Sequence, residues 1–235
     1  MPEAKSCLLP AHIQRITARD GAPHSITTFE PRDTALVVVD MQNFYLAEGA
    51  PSYCPDARPI VPRINRLADA VRRFGGPVIW LRNVTNPEAF KGWTVHYGRM
   101  KPDRVETRRR ELAKDSDGVR LWHELDVRDD DIKLDKIRYS ALVPGASSLE
   151  KVLGQYGVDT LIVCGVATNV CVESTARDAM MMNYRTLMVE DACAAGDRAL
   201  HEATLNSFYL FFGDVQTTDQ VVANLGVDRE AVAAE

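Results

Sequence analysis

The run LIVCGVATNVCVEST at positions 161–175 constrains this chain most, because it sets a buried strand, a glycine break and a helix start in immediate succession. Residues 161–164 form an apolar run of strand length. Gly165 interrupts it, and from Asn169 onward apolar residues return at helical spacing (Val170, Ala176, Met180). Cys171 falls in the first turn of that expected helix. There, unpaired backbone N–H groups and the positive end of the helix dipole lower a thiol pKa from its free value of about 8.5. Cys171 is therefore read as a nucleophile, and Cys164, inside the strand, as a structural thiol.

The same strand-to-helix alternation repeats along the chain. Strands are expected at 34–39, 77–81, 131–136, 160–164, 186–189 and around Val215, and helices at 60–74, 147–156, after Cys171, at 198–208 and from Asp219. This spacing implies an α/β fold: a doubly wound, mostly parallel six-stranded sheet with helices on both faces. Residues 1–32, rich in proline and without sustained periodicity, are expected to wrap the surface as an extended arm. The domain proper spans 33–226, with 227–235 as a tail. Within it, residues 84–130 read as a lid or substrate-recognition insertion holding Trp93, His96, Tyr97 and Trp122, with some helix in 104–114.

Composition narrows the partners. A formal charge of −5 and no long basic run speak against nucleic acid and anionic membrane, and the triplet Arg108, Arg109 and Arg110 reads as a solvated helix face rather than a phosphate site. No apolar run approaches the roughly 18 residues of a membrane span, and the N-terminus lacks the apolar core of a signal peptide, so a cytoplasmic protein is expected. Five cysteines (Cys7, Cys54, Cys164, Cys171, Cys193) without C-x-x-C pairs indicate free thiols. The histidines His96, His123 and His201 lack ligand spacing, so no metal and no other cofactor is expected. The Met180-Met181-Met182 run is assigned to core packing, and 208–212 to strand and core.

Ligands of such sheets bind beyond the carboxyl ends of the strands. Asp40 closes the first strand, Lys136 the third, and Cys171 follows the fourth. Together they would supply a base, a cation and a nucleophile. Asp40 would take the thiol proton and return it to a leaving amine, while Lys136 would favour the carboxylate and thiolate charges. On spacing alone, a helix or loop cap at Asp40 and a solvated strand end at Lys136 are the rival readings.

With the motifs DMQNFY at 40–45, KIRYS at 136–140 and GVATNVCVESTARD at 165–178, the chain resembles the isochorismatase-like cysteine hydrolases over about residues 30–225. That resemblance implies the triad Asp40, Lys136 and Cys171, and a cis peptide at Val166–Ala167. It also implies an oxyanion hole from the N–H groups of Ala167 and Cys171. Within the family the chain is most similar to ureidoacrylate amidohydrolases. This likeness implies a small ureido or carbamoyl amide as substrate, Asn43, Tyr45, Asn83 and Tyr139 at the pocket, and a homodimer or homotetramer. Nicotinamidases of the family carry an Asp-x-His metal site, where this chain has Asp56-Ala57-Arg58. Biuret, triuret, N-carbamoyl amino acids and simple carboxamides remain alternative substrates, and a catalytically idle binding subunit is the rival from another class.

Overall fold

A computed structural model describes residues 6–226. Six strands form one parallel sheet: β1 (Thr34–Val39), β2 (Val78–Asn83), β3 (Ile132–Lys136), β4 (Thr160–Val166), β5 (Arg185–Ala194) and β6 (Asp214–Gln216). Their order is β3-β2-β1-β4-β5-β6, and every pairing is parallel. All residues of β1 and β4 are buried, which is why these segments read as unbroken apolar runs rather than alternating ones.

Successive strands step outward in opposite directions from the β1–β4 boundary. Right-handed crossovers then put the helix after β1 and the helices after β4 and β5 on opposite faces. On one face lies α3 (Val61–Phe74), packed with the last helix α10 (Thr218–Leu225). On the other lie α8 (Glu173–Met181) and α9 (Arg198–Phe211), while α7 (Leu149–Tyr156) links β3 to β4. The apolar stripe expected at 60–74 is the buried side of α3, where Ile64, Leu67, Ala68 and Val71 are shielded from solvent.

Four expectations are corrected. The described part of the N-terminal arm is not wholly extended: Pro10–Asp20 is a helix, α1, which starts with proline at its first position and stops at Gly21 in a left-handed conformation. It packs on α9, and the burial that sustains it comes from that contact. Residues 208–212 are the end of helix α9 and its cap, not a strand. Phe208 is buried and Phe211 exposed, the alternation that helical geometry imposes on an aromatic run. The three methionines 180–182 are exposed rather than core, because they end α8 and turn the chain outward. The strand expected at 186–189 continues to Ala194, since a register shift after Val163 lets its second half pair with Gly165 and Val166. Residues 1–5 and the expected tail at 227–235 lie outside the described residues.

The insertion between β2 and β3 folds into four short elements. They are α4 (Pro87–Gly92), α5 (Thr94–Gly98), α6 (Pro102–Glu111) and a 3₁₀ turn, Asp117–Val119. Among the described residues no helix is long and apolar enough to cross a membrane.

Candidate active site

The sheet reverses its strand order between β1 and β4, and the reactive side chains gather beyond the carboxyl end of that boundary. Directly after β1, Asp40 adopts a left-handed backbone conformation (φ 53°), one that a non-glycine residue enters at a cost of about 1–3 kcal/mol. Its N–H is held by the Leu81 carbonyl and its own carbonyl by the Gln42 N–H, so the chain turns sharply and the carboxylate is left inside the site. Lys136, the last residue of β3, reaches it: Nζ lies 2.8 Å from Asp40 Oδ2, and both side chains are fully shielded from solvent. The same ammonium donates to the Arg138 carbonyl at 3.0 Å.

The Cys171 thiol is buried close enough to Asp40 and Lys136 that both charges act on it. It lies on a π-helical turn, Thr168–Val172, that precedes α8. Gly165 makes the juxtaposition possible. Its φ is 111°, and a Cβ there would stand 2.2 Å from the Val39 carbonyl oxygen, so only glycine lets β4 approach the end of β1 this closely. The Val166–Ala167 peptide is cis, and the Ala167 carbonyl accepts from Val170 and Val172, which closes the turn on itself. Thr175, on α8, accepts a hydrogen bond from the Ala141 N–H at 3.2 Å and ties α8 to the segment after Lys136.

Electrostatics differ from the expected depressed thiol. Burial pushes Cys171 up to about 12; Lys136 pulls downward, but the Asp40 carboxylate pushes upward with burial. A helix terminus favours a thiolate, but in a dry site beside a carboxylate desolvation wins. Burial also raises Asp40, against the opposing pull of Lys136. Lys136 itself is raised, because Asp40 and Cys171 outweigh the burial that disfavours its charge. The resting cluster is a neutral thiol beside an ion pair.

Around this cluster, Tyr45 and Asn83 come together. The phenol accepts from Asn83 Nδ2 at 2.7 Å, and Asn83 stands beside Lys136 in the sheet register. Tyr139 is half-buried; burial raises its phenol, and the Lys136 ammonium pulls the other way. Asn43 is placed differently: its amide donates to the Asp117 carbonyl and side chain, both at 3.1 Å, at the lid boundary. Gln42, which the sequence did not single out, is fully buried and holds three segments. It accepts from the Asn83 N–H at 2.7 Å and donates to the Asn83 and Val119 carbonyls at 3.1 Å each. Its only sequence signal was its place two residues after Asp40.

The insertion adds an aromatic wall. His96 stacks on Trp93 with centroids 3.8 Å apart, and its Nδ1 lies 3.4 Å from the Tyr139 hydroxyl. Burial and neighbouring guanidinium groups push His96 down to about 4, so its ring is neutral at physiological pH. Arg58 ends the Asp56-Ala57-Arg58 segment that the sequence sets against the nicotinamidase Asp-x-His pair. It donates to the Leu46 carbonyl at 2.7 Å and lies 4.7 Å over the Trp122 ring. A separate cavity of about 240 Å³ opens beside the nucleophile turn, lined by Cys7, Glu190, Cys193 and His201, and none of the three clustered residues borders it.

A thiol, a carboxylate and an ammonium thus meet at the switch point of a parallel sheet. The isochorismatase domain profile matches residues 34–220, and the chain belongs to that family of hydrolases. Among solved structures, a cysteine hydrolase from Pseudomonas syringae pv. phaseolicola is 30% identical with a TM-score of 0.76, covering 84% of this chain and 94% of its own. An N-carbamoylsarcosine amidase from Thermoplasma acidophilum is 28% identical with a TM-score of 0.63, over 80% and 97% of the two chains. A nicotinamidase from Bacillus subtilis, at 22% identity and a TM-score of 0.65 over 78% and 99%, shares the fold.

Proposed function

We propose that this protein is a metal-independent cysteine amidohydrolase acting on a small linear ureido or carbamoyl amide, with ureidoacrylate as the leading substrate type. The observation that carries the reading is the buried contact of Asp40, Lys136 and Cys171. The likeness to a cysteine hydrolase and to an N-carbamoylsarcosine amidase supports it. Metal independence is supported by Arg58, a poor ligand already engaged with a carbonyl and an indole.

As Sγ attacks the terminal carbamoyl carbon, Asp40 accepts the thiol proton, and the N–H groups of Ala167 and Cys171 receive the oxyanion. Lys136 keeps the negative charge that passes between carboxylate and thiolate tolerable in a dry site. Collapse expels ammonia, which takes its proton from Asp40, and leaves a thioester. Water, deprotonated by Asp40, then attacks that carbonyl. The thiol re-forms with the same proton, and the released carbamate decomposes to an amine and carbon dioxide. Tyr45, Asn83 and Tyr139 would line the pocket, with Asn43 acting through the lid boundary. The proposal extends to a cytoplasmic homodimer or homotetramer, for which exposed Met181 and Phe211 offer apolar surface.

The test is ammonia release, with chelator present, from ureidoacrylate, biuret, triuret, N-carbamoyl amino acids and nicotinamide, by wild type and Cys171→Ala. A selective hit lost in the variant supports the reading; activity retained by Cys171→Ala sinks it.

A further inference from the structure

The three consecutive arginines of α6 do not behave alike. Arg109 pairs with Glu106 at 3.3 Å and lies 4.6 Å over the Phe90 ring, and Arg110 pairs with Glu111 at 3.0 Å. Both are solvated, as the sequence suggested. Arg108 instead turns inward. Its guanidinium carbon sits 5.5 Å over the Phe44 ring, one residue before Tyr45, and its Nε is buried without a hydrogen-bond partner. Among the described residues no carboxylate lies within ion-pair reach of it.

An unpaired guanidinium N–H in a buried setting costs free energy unless something outside the chain satisfies it. The surroundings say where such a partner would sit. The Arg108 charge acts on Tyr45, Tyr139 and Asp40 near Cys171 and on His96 and Tyr97 of the aromatic wall, and with the Tyr97 phenol beside the guanidinium it is Nε that is left over. A second polar atom in the same wall, His96 Nε2, is also buried and unpartnered. The neutral imidazole and the planar guanidinium both come from the insertion between β2 and β3, the same segment that supplies the aromatic wall.

We propose that Arg108 is the carboxylate-recognising residue of the site, and that the substrates are therefore ureido acids: molecules with a carbamoyl group for Cys171 at one end and a carboxylate for Arg108 at the other. The proposal rests on the amidohydrolase reading for the reaction, but not for the anion site itself. A planar fork of N–H donors matches a carboxylate, and in a pocket closed from water such a charge-assisted pair is worth far more than on the surface. Neutral ureides such as biuret fit the same nucleophile but leave the buried Arg108 Nε unpartnered and its charge without a counter-ion, so they are discriminated against.

Two readouts test this. The first compares kcat/KM for N-carbamoylglycine and its neutral amide in wild type, Arg108→Gln, Arg108→Lys and the surface control Arg109→Gln. The second follows alkylation at Cys171 by mass spectrometry, with iodoacetate against iodoacetamide; the same thiolate displaces iodide from the CH2 carbon of each, and only iodoacetate carries a carboxylate. Wild type is expected to prefer the acid and iodoacetate, with both preferences falling about 10- to 100-fold in Arg108→Gln. They should fall less in Arg108→Lys and persist in Arg109→Gln. A loss of the iodoacetate preference in Arg108→Gln while no ureide releases ammonia from wild type would support the anion site and sink the hydrolase reading. Equal ratios in wild type and Arg108→Gln overturn the proposal. If the Arg108 variants do not fold, a wild-type iodoacetate-to-iodoacetamide ratio no higher than that of N-acetylcysteinamide overturns it as well.

Discussion

Lys136 Nζ lies 2.8 Å from Asp40 Oδ2 with both side chains closed off from water, so the pair is held by mutual neutralisation. Removing one partner leaves the other as an unpaired buried charge, a change that costs about 3–5 kcal/mol in such pairs. Lys136→Met is expected to lower stability by an amount of that order at pH 7 and to abolish turnover. Asp40 is already raised by burial and would rise further without its ammonium, so in the variant it protonates as pH falls. Wild type, in contrast, loses the ion pair when Asp40 protonates. The gap in urea midpoint between the two proteins should therefore narrow from pH 7 to pH 5; a constant or widening gap would count against a paired resting state.

The raised Cys171 thiol makes a second expectation. With burial pushing it up to about 12, little thiolate exists in the free enzyme at pH 7. Alkylation of Cys171 by iodoacetamide should be slower than that of a free thiol at pH 7 and keep rising beyond pH 9, where a free thiol of pKa about 8.5 levels off. A plateau below pH 8 would show that the helix start, not burial, controls the group.

Gly165 is expected to tolerate no side chain. Gly165→Ala puts a Cβ within 2.2 Å of the Val39 carbonyl oxygen at a backbone φ of 111°. A stability loss of about 2 kcal/mol or more and loss of activity should follow, because the end of β4 must move away from Asp40. Thermal denaturation with an activity assay checks both.

Gln42 fastens the lid to the sheet. Gln42→Leu deletes three hydrogen bonds and strands the Asn83 N–H, so a loss of about 2–4 kcal/mol is expected. Hydrogen exchange should increase around Val119 and at the end of β2 before it changes in β4. Uniform protection across these elements in the variant would show that Gln42 is not what couples them.

The linear pattern settled the order and kind of the main elements and marked Asp40, Lys136 and Cys171 as residues at strand ends and a helix start, because strands buried on both faces are long apolar runs and crossover helices carry an apolar stripe of different period. The motifs around Asp40, Lys136 and Cys171 carried the family likeness for the same local reason: sharp turns and strand ends demand particular residues. What the sequence could not express were quantities that depend on distant neighbours. It placed Arg108 with Arg109 and Arg110 on a solvated face, where adjacency in sequence hides that one of the three turns inward over Phe44. The helical arm Pro10–Asp20 has a weak intrinsic pattern and draws its stability from packing on α9. Cys171 makes the same point about charge. Its helix-start position favours a thiolate, but the burial and the carboxylate that push it up to about 12 come from folding β1 and β3 around it. Local propensity and periodicity are written in neighbouring residues, whereas desolvation and charge pairing are set by which segments the fold brings together in space.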